Sequence, residues 1–322
     1  MEQQPAAPRV SVMIPTHNRP EMLERALRSV LAQTYQDFEV VVVDDGSEVP
    51  VAPLVQRLGD PRVRVVRLDP NKGMGRARNV GIVATRGEWV AFLDDDDEWR
   101  PEKLSLQMAR LDADDDPKTA AVYCYCEQIG SRGISRVRPK EPLPEGDVFE
   151  GLVKNLHSRS TSAYVIKRSV LIEVGNFDPD MPRADDIELW FRMSEAGHHF
   201  VAVQEPLVIK HEHGMGQVTR DPIAGVVGFR QLDQLWGPAI ARRLGAKRRK
   251  KWRQKRFQKL ANLHAFYVAE LARSGRRREA RRYAWRMLPY LPWEARFVAQ
   301  ALAFGLLGLR IGLRSPAVPA PG

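Results

Sequence analysis

The fold is decided by residues 89–97, which read WVAFLDDDD. Five apolar residues in a row are typical of a short strand that is covered on both faces, as in a parallel α/β sheet. The four aspartates that follow, residues 94–97, would then lie at the carboxyl end of this strand, where open α/β sheets bind their ligands. Because adjacent carboxylates repel one another unless something neutralises them, this aspartate tetrad indicates a site for a cation.

Hard divalent cations prefer oxygen ligands, and two carboxylates separated by one residue can converge on one ion. Asp94 and Asp96 are therefore predicted to bind Mn²⁺ or Mg²⁺, with substrate phosphates completing the coordination shell. The spacing leaves open which of the four aspartates face the metal. The alternative is a solvated acidic loop in which Asp96 or Asp97 caps the helix that Pro101 opens.

The segments around this strand alternate between the patterns of strands and helices. Strands are predicted at residues 10–14, 39–43 and 63–68, and apolar residues at helical spacing follow at 22–31 and 73–84. This alternation predicts βαβ units with right-handed crossovers, and hence an α/β fold with a mostly parallel sheet flanked by helices. The polar ends of three strands would then face one crevice.

The rest of the chain is less regular. By pattern it contains strands at 121–127 and 162–167 and a helix at 187–196. The composition then changes to one rich in basic residues. We therefore expect a catalytic domain at residues 1–240 and a basic helical extension at residues 241–322.

The net charge of +10 is concentrated in that extension, since residues 242–286 contain 18 Lys and Arg against 2 Asp and Glu. Binding of nucleic acid or of an anionic membrane is therefore a question for this segment alone. Residues 297–313 are apolar apart from Gln300 and Arg310, but about twenty apolar residues are needed to cross a bilayer. We expect residues 247–313 to contact an anionic membrane surface, with a solvated or packed helix as the alternative, and we do not favour nucleic acid.

Residues 1–9 lack an apolar stretch behind a basic one, so no secretory signal peptide is predicted. We expect a cytoplasmic protein, peripheral on the inner face of the cell membrane. The two cysteines, Cys124 and Cys126, would lie on one face of a strand, where they are predicted to be buried, reduced thiols.

Two further segments carry polar groups to the predicted crevice. Residues 44–47, DDGS, are suited to the base or ribose of a nucleotide, although Asp-Gly is also ordinary turn chemistry. Residues 71–79, NKGMGRARN, place cations and glycines at a helix start, where backbone N–H groups favour a phosphate. This second segment is not a dinucleotide fingerprint, because Arg78 occupies the position of the third glycine.

Four segments, in this order, resemble the family 2 glycosyltransferases with the GT-A fold. They are VSVMIPTHNR at residues 10–19, VDDGS at 43–47, ARN at 77–79 and FLDDDD at 92–97. The likeness covers residues 8–217. It implies a Rossmann-like domain that transfers a sugar from a nucleotide diphosphate sugar, with a UDP sugar as the expected donor, to a glycan or glycolipid acceptor. It also implies inversion at the anomeric carbon and help from Mn²⁺ or Mg²⁺.

The resemblance carries over to individual positions. The residues implied for nucleotide-sugar binding are Pro15, His17, Asn18, Asp44, Asp45, Lys72, Arg78, Asp94 and Asp95. The metal ligands implied are Asp94, Asp96 and His213, with His211 competing for the histidine's place. The general base implied is Asp186, the second member of an acidic pair with Asp185.

This chain departs from the family pattern at Asp185, where the family usually has a glutamate, one methylene longer. Both members of the pair are also suited to capping a helix start, which is the alternative for them. The Gln-x-x-Arg-Trp motif of processive synthases is absent, which favours the addition of one sugar per encounter.

Two other functions are alternatives to this one. A sugar nucleotidyltransferase uses a related fold but has a glycine-rich loop after the first strand, and residues 15–19, PTHNR, contain no glycine. A non-catalytic binding module would use its basic tail to bind nucleic acid or a membrane, with an affinity for nucleic acid that falls steeply with salt.

Overall fold

The computed structural model of the chain describes residues 7–130, 133–136, 142–157, 160–211 and 222–287. Contacts within the chain divide it into two compact units, residues 1–217 and residues 218–322. His213 and residues 297–313, on which two of the expectations fall, lie outside the described residues.

The first unit is built of strands and short helices. The strands are β1 Val10–Thr16, β2 Phe38–Asp45, β3 Val63–Leu68, β4 Trp89–Phe92, β5 Asp97–Trp99, β6 Thr119–Gly130, β7 Gly133–Arg136, β8 Val165–Lys167 and β9 His199–His211. The helices are α1 Pro20–Leu31, α2 Ala52–Leu58, α3 Met74–Ala84, α4 Lys103–Asp112, α5 Phe149–Lys154, α6 Arg168–Glu173 and α7 Asp185–Glu195. A single 3₁₀ turn, Thr161–Ala163, precedes β8.

These strands form one mixed sheet in the order β3-β2-β1-β4-β8-β6-β9-β5, with β7 paired to β6. The four strands from β3 to β4 are parallel to one another, as the alternating pattern predicts. Beyond β4 the sheet is mixed, because β8 is antiparallel to both β4 and β6, while β6 and β9 are parallel. The prediction of a mostly parallel sheet therefore holds for the amino-terminal half alone.

The centre of the parallel half is fully covered. Every residue of β1, β2 and β4 is buried, which explains why these strands are mostly apolar. Helix α1 buries Leu23, Leu27 and Val30 from its apolar stripe. Burial of one such side chain stabilises a fold by about 1.5–3 kcal/mol, so this core fixes the strand ends that carry the polar loops.

The second unit contains three described helices, α8 Pro222–Leu244, α9 Ala246–Arg273 and α10 Arg277–Met287. Gly245 and Gly275 have positive φ angles of 88° and 81° and separate the helices. The expected domain boundary after residue 240 falls inside α8, because this helix runs on to Leu244. None of the described helices is long and apolar enough to cross a membrane.

Helices α8 and α9 pack closely against each other. The rings of Phe229 and Trp252 are 5.2 Å apart. A Cβ atom at Gly237 would lie 2.7 Å from the guanidinium of Arg249, so a side chain there would displace that group. The basic helix α9 is therefore packed through a few apolar and small residues, while most of its described cations stay exposed.

Candidate active site

The aspartate tetrad separates into two groups at the end of β4. One carboxylate oxygen from each of Asp94, Asp96 and Asp97 lies within 4.8 Å of the others; we call these three the acidic cluster. Asp95 does not belong to the acidic cluster. It is buried and accepts hydrogen bonds from Thr16 Oγ1 at 2.8 Å and from Arg19 at 3.2 Å. The predicted pair of Asp94 and Asp96 is thus brought together, and Asp97 joins it.

Asp97 is the first residue of β5 and is held by residues distant in the sequence. Its Oδ2 accepts hydrogen bonds from Ser160 Oγ at 2.8 Å, Ser162 Oγ at 2.6 Å and Lys210 Nζ at 3.3 Å. Ser162 Oγ also accepts the backbone N–H of Asp94, at 3.0 Å. The turn before β8 therefore fixes two members of the acidic cluster at once.

Arg78 connects the acidic cluster to the start of α7. Its guanidinium donates to Asp94 Oδ1 and to Asp185 Oδ2, both at 2.9 Å. It is buried, and its charge lies 5.2 Å from the ring centre of Phe177. Since a guanidinium presents its donors in a rigid fork, one side chain sets the spacing between two carboxylates 91 positions apart.

The surroundings of the tetrad shift the pKa values of its carboxyl groups in different directions. Burial raises the pKa of Asp94, but the charges of Arg78 and Lys210 outweigh it and hold this pKa below its usual value. Burial, together with the charges of the other three aspartates, raises the pKa of Asp96 to about 7. Burial also raises the pKa of Asp95. A proton or another cation is therefore most favoured at Asp96.

The acidic cluster fits a divalent cation. Mg²⁺ binds oxygen atoms at about 2.0–2.1 Å, so the oxygens in its shell lie about 3–4 Å apart, and the three oxygens of the acidic cluster lie within 4.8 Å of one another. A hard, all-oxygen ligand set is also the chemistry that Mg²⁺ and Mn²⁺ prefer. His211, the competing histidine, instead pairs its Nε2 with Glu98 across β5 and β9, and His213 lies outside the described residues.

The loop after β2 is stabilised by hydrogen bonds to the carboxylate of Asp44. Asp44 is fully buried and accepts hydrogen bonds from the backbone N–H groups of Ser47 and Val51 and from Arg67. Burial raises the pKa of Asp44, yet these hydrogen bonds lower it below its usual value. The carboxylate of Asp44 therefore serves to stabilise the turn. Its contact with a nucleotide stays a prediction.

The expectation of a phosphate site at the start of α3 is corrected by the contacts of Asp45. Its two carboxylate oxygens accept the backbone N–H groups of Lys72 at 2.7 Å and of Gly73 at 2.9 Å. A carboxylate from the end of β2 thus occupies the positive end of the helix, where the sequence had suggested a phosphate. The side chain of Lys72 is exposed and keeps its predicted role.

The loops after β1 and β2 form one edge, as predicted. Asn18, with a φ angle of 55°, donates its backbone N–H to Ser47 Oγ and accepts the N–H of Glu48. His17 Nδ1 lies 2.8 Å from the carbonyl oxygen of Asp45. His17 and Asn18 are exposed at this edge, whereas Pro15 is buried within β1.

The acidic pair lies at the first turn of α7. Asp185 is bound to Arg78, and burial raises the pKa of Asp185 because the opposing charge of Arg78 offsets it only in part. Asp186 is half-buried and accepts the N–H of Ile187 at 2.8 Å. The preceding residue, Ala184, has a φ angle of 67°, a conformation that costs a non-glycine residue about 1–3 kcal/mol and that clusters at functional sites.

Asn79 holds the segment before α7, a role that the sequence did not suggest. Its amide donates to the carbonyl of Phe177 at 2.8 Å and accepts the N–H of the same residue at 3.0 Å. At Gly75 a Cβ atom would lie 3.1 Å from Pro179 Cα, so the start of α3 closely approaches this segment. The ARN motif therefore positions α7 through two neighbouring side chains, Arg78 and Asn79.

The family assignment follows from comparison with known proteins. The sequence model of the family described as "Glycosyl transferase family 2" matches residues 11–175, about half of the chain. The chain belongs to this family. The matched residues include β1 to β4, the whole tetrad and Arg78.

The chain is also similar to curated proteins that are named for biosynthesis. The chain is 46% identical over 106 residues to "Succinoglycan biosynthesis protein ExoO" of Rhizobium meliloti, covering 33% of this chain and 30% of the relative. It is 31% identical over 209 residues to "Amylovoran biosynthesis glycosyltransferase AmsB" of Erwinia amylovora, covering 62% of this chain and 69% of the relative. For several relatives the chain spans 60% of their length or less.

Among solved structures, the chain is similar to residues 1–349 of S. aureus TarS in complex with UDP-GlcNAc. The TM-score is 0.56 at 18% identity, covering 83% of this chain and 87% of that one. At this identity the likeness concerns the fold alone, and it confirms the expectation of a GT-A-like α/β fold.

Proposed function

We propose that this chain transfers a sugar from a UDP sugar to a glycan or lipid-linked acceptor, with inversion at the anomeric carbon. The observation that carries the proposal is the bridge made by Arg78. It holds the acidic cluster, suited to a cation and a diphosphate, at a fixed distance from a second acidic pair. A displacement at a sugar carbon needs both a site for the leaving group and a base for the incoming one.

Relatives and neighbours support the donor and the biological setting. TarS has been solved in complex with UDP-GlcNAc and with UDP, and two relatives are named for the biosynthesis of succinoglycan and amylovoran. We therefore place the chain in the assembly of a bacterial-type extracellular polysaccharide, with one sugar added per encounter.

The leaving-group side would be formed by the tetrad and the loops next to it. Asp94, Asp96 and Asp97 would hold Mn²⁺ or Mg²⁺, with His213 as the further predicted ligand. When bound, the ion supplies a Lewis acid that stabilises charge on the departing diphosphate. Asp95 would act through Arg19 and Thr16, to which it is bonded.

The nucleoside would lie against the edge formed by the loops after β1 and β2. The residues that remain proposed for this contact are Pro15, His17, Asn18, Asp44, Asp45, Lys72 and Arg78. The carboxylate of Asp45 accepts a hydrogen bond from the start of α3, and its carbonyl oxygen contacts His17. Asp45 would therefore order the pocket in addition to contacting the ligand.

Asp186 would be the general base. In an inverting transfer the acceptor hydroxyl attacks the face opposite the diphosphate and loses its proton as the new bond forms. The half-buried carboxylate of Asp186 would accept that proton, while Asp185, fixed by Arg78, would hold the first turn of α7 in place.

A panel of nucleotide sugars tests the donor site. Because a ligand that binds only the native state raises stability by mass action, UDP sugars with Mn²⁺ should raise the melting temperature more than GDP or dTDP sugars do. Magnesium in place of manganese, and chelator in place of both, are the matched controls. Equal melting temperatures with every nucleotide and metal would contradict the proposal.

We further propose that the second unit contacts an anionic membrane on the cytoplasmic side. Lys250, Lys251, Arg253 and Lys255 are exposed on α9, and each basic residue near an anionic surface contributes about 1 kcal/mol. The triple change Lys250→Gln, Lys251→Gln and Lys255→Gln should weaken binding to phosphatidylglycerol vesicles by about a hundredfold. Equal binding by the variant, or by neutral vesicles, would contradict this contact; duplex DNA in the same assay tests for nucleic acid.

A further inference from the structure

Lys103, the first residue of α4, is a lysine with no exposed surface. No carboxylate among the described residues pairs with it. Its Nζ instead donates to Gln107 Oε1 at 2.7 Å and lies 3.9 Å from the ring centre of Trp99. A lysine is almost never fully buried unless its charge is paired, because removing an ammonium group from water is costly. This arrangement therefore points to a role beyond packing.

Both neighbours of Lys103 hold the same turn. Gln107 Nε2 donates to the carbonyl of Ala163 at 2.9 Å, and Trp99 Nε1 donates to the carbonyl of Ser162 at 2.9 Å. Both carbonyl groups belong to the 3₁₀ turn before β8. Because an ammonium group can only donate, Lys103 draws the amide oxygen of Gln107 toward itself and leaves the amide nitrogen to bind the turn.

The same turn holds two members of the acidic cluster. Ser162 Oγ donates to Asp97 Oδ2 at 2.6 Å and accepts the backbone N–H of Asp94 at 3.0 Å. Ser160 Oγ donates to the same oxygen of Asp97 at 2.8 Å. The hydroxyl group of Ser162 thus binds the acidic cluster, while its carbonyl group is bound by Trp99. A displacement of the turn would move both carboxylates.

We propose that Lys103 is a positioning residue for the acidic cluster. Through Gln107 and Trp99 it fixes the turn before β8, and the serines of that turn hold two carboxylates in place for the divalent metal. This rests on the proposed function, because it takes the acidic cluster as the metal site. The buried charge lowers the stability of the fold, and in return the metal ligands are held by a rigid support.

A role of Lys103 in packing alone leads to a different result. Removal of the buried charge would then stabilise the fold and leave metal binding unchanged, because the turn would keep its place. If Lys103 positions the turn, its removal stabilises the fold and weakens metal binding. Melting temperature and metal affinity, measured on the same variant, therefore separate the two roles.

The experiment measures the Mn²⁺ affinity of the full chain by electron paramagnetic resonance of free Mn²⁺, with and without UDP, and the melting temperature without ligand. Lys103→Met removes the charge and the hydrogen bond. Gln107→Glu keeps a partner for Lys103 but replaces the donor to Ala163 with an acceptor. Trp99→Phe keeps an aromatic ring beside the ammonium group but removes the donor to Ser162.

Two further variants calibrate the measurement. Ser162→Ala removes the hydroxyl group that joins two members of the acidic cluster, and it should weaken Mn²⁺ binding by about tenfold. Lys118→Met removes an exposed lysine and should change neither the Mn²⁺ affinity nor the melting temperature.

We expect Lys103→Met to raise the melting temperature and to weaken Mn²⁺ binding by about fivefold, less than the loss of a direct partner of a metal ligand. Trp99→Phe should lower the melting temperature, because a buried side chain becomes smaller, and should weaken Mn²⁺ binding as Lys103→Met does. Gln107→Glu should weaken it too. Metal affinity would then fall whether the fold becomes more stable or less stable.

Mn²⁺ binding by Lys103→Met equal to that of the wild type would overturn the positioning role. If this variant does not fold, wild-type Mn²⁺ binding by Trp99→Phe and Gln107→Glu would overturn it. Unchanged binding by Ser162→Ala would do the same, because the turn would then not hold the metal ligands. A wild-type chain that binds no Mn²⁺, with or without UDP, would overturn the metal site of the proposed function and this inference with it.

Discussion

The loops after β1 and β2 are held by neighbours in the sequence, whereas the carboxylates after β4 are held by residues far along the chain. Asp45 bonds to Lys72 and Gly73, fewer than thirty positions away. Asp97 bonds to Ser160 and to Lys210, the latter 113 positions away. The contacts that hold the first region fall between β1 and the start of α3, while those that hold the second extend to β9.

This difference suggests that the two regions have different roles. The amino-terminal loops present groups to a nucleotide with little help from elsewhere. The region from β5 to β9 assembles charge, since it brings together the acidic cluster, Lys210 and the Asp185–Asp186 pair. Changes in the second region should therefore affect turnover and metal binding before they affect recognition of the nucleotide.

The largest effect is expected for Asp186→Asn. An amide cannot accept the proton of the acceptor hydroxyl, so transfer should fall by about a thousandfold, while stabilisation by UDP with Mn²⁺ is retained. Steady-state transfer and melting temperature measure the two properties. Glu195→Gln, at the exposed end of the same helix, is the matched control. Turnover close to that of the control would remove Asp186 from the role of base.

A smaller loss is expected for Arg78→Met, which removes the bridge between the acidic cluster and α7. Two carboxylates lose their shared cation, so α7 should shift relative to the acidic cluster and turnover should fall by about a hundredfold. Arg78→Lys should restore little, because one ammonium group cannot reach both carboxylates in the fork geometry. Arg76→Met is the control, since Arg76 pairs with Asp180 at the exposed surface. A kcat equal to that of Arg76→Met would show that the bridge is dispensable.

The smallest effect concerns stability, at a buried lysine of the second region. Lys103 lies on α4, where its Nζ donates to Gln107 and lies 3.9 Å from the ring centre of Trp99. Burial lowers the pKa of Lys103 from 10.5 to about 8. Lys103→Met should therefore stabilise the fold by about 1–2 kcal/mol at pH 7, because an unfavourable buried charge is removed.

The pH dependence checks the sign of this effect. Between pH 8 and 10.5 the unfolded chain binds a proton at Lys103 that the folded chain releases, so the stability of the wild type should rise with pH in this window. The advantage of Lys103→Met should shrink accordingly, while exposed Lys118→Met serves as control. Chemical denaturation at pH 7 and pH 10 measures both; an advantage that grows with pH would contradict the assignment.

The parallel half of the fold could be predicted closely from the sequence. The segments expected at residues 10–14, 39–43 and 63–68 are the strands β1, β2 and β3, with ends that differ by at most two residues. The patterns of β1 and β2 are simple because both faces of these strands are covered, and regular helices connect the three strands. The burial expected of Cys124 and Cys126 is confirmed too.

The second half could not be predicted in the same way. Strand β9 is thirteen residues long, but its register against β6 shifts between Val203 and Pro206, so the alternation of apolar and polar residues is interrupted. Strand β5 has only three residues. Helix α8 contains Pro238, which sequence patterns treat as a helix breaker.

The residues of the candidate active site show the same contrast between what could and what could not be predicted from the sequence. Clustering of Asp94 with Asp96 follows from spacing and strand position, and Arg78 and Asp186 were named through the family resemblance. Asp97 was left open as one of the four aspartates of the tetrad. Lys210 and Asn79 were not named, because their roles come from pairing across the sheet and from close approach of α3 to the segment before α7. The one available signal was Lys210 itself, a cation three positions before a predicted metal-ligating histidine.

The ladder between β5 and β9 makes the electrostatics of the acidic cluster sensitive to insertions and deletions. Asp97 faces Lys210 only in one register, and a slip by one residue would turn every side chain of the strand to the opposite face of the sheet. A single added or deleted residue between the irregularity near Pro206 and Lys210 would thus withdraw a positive charge from the site. Length in this stretch of β9 should therefore be constrained more tightly than the identity of its side chains.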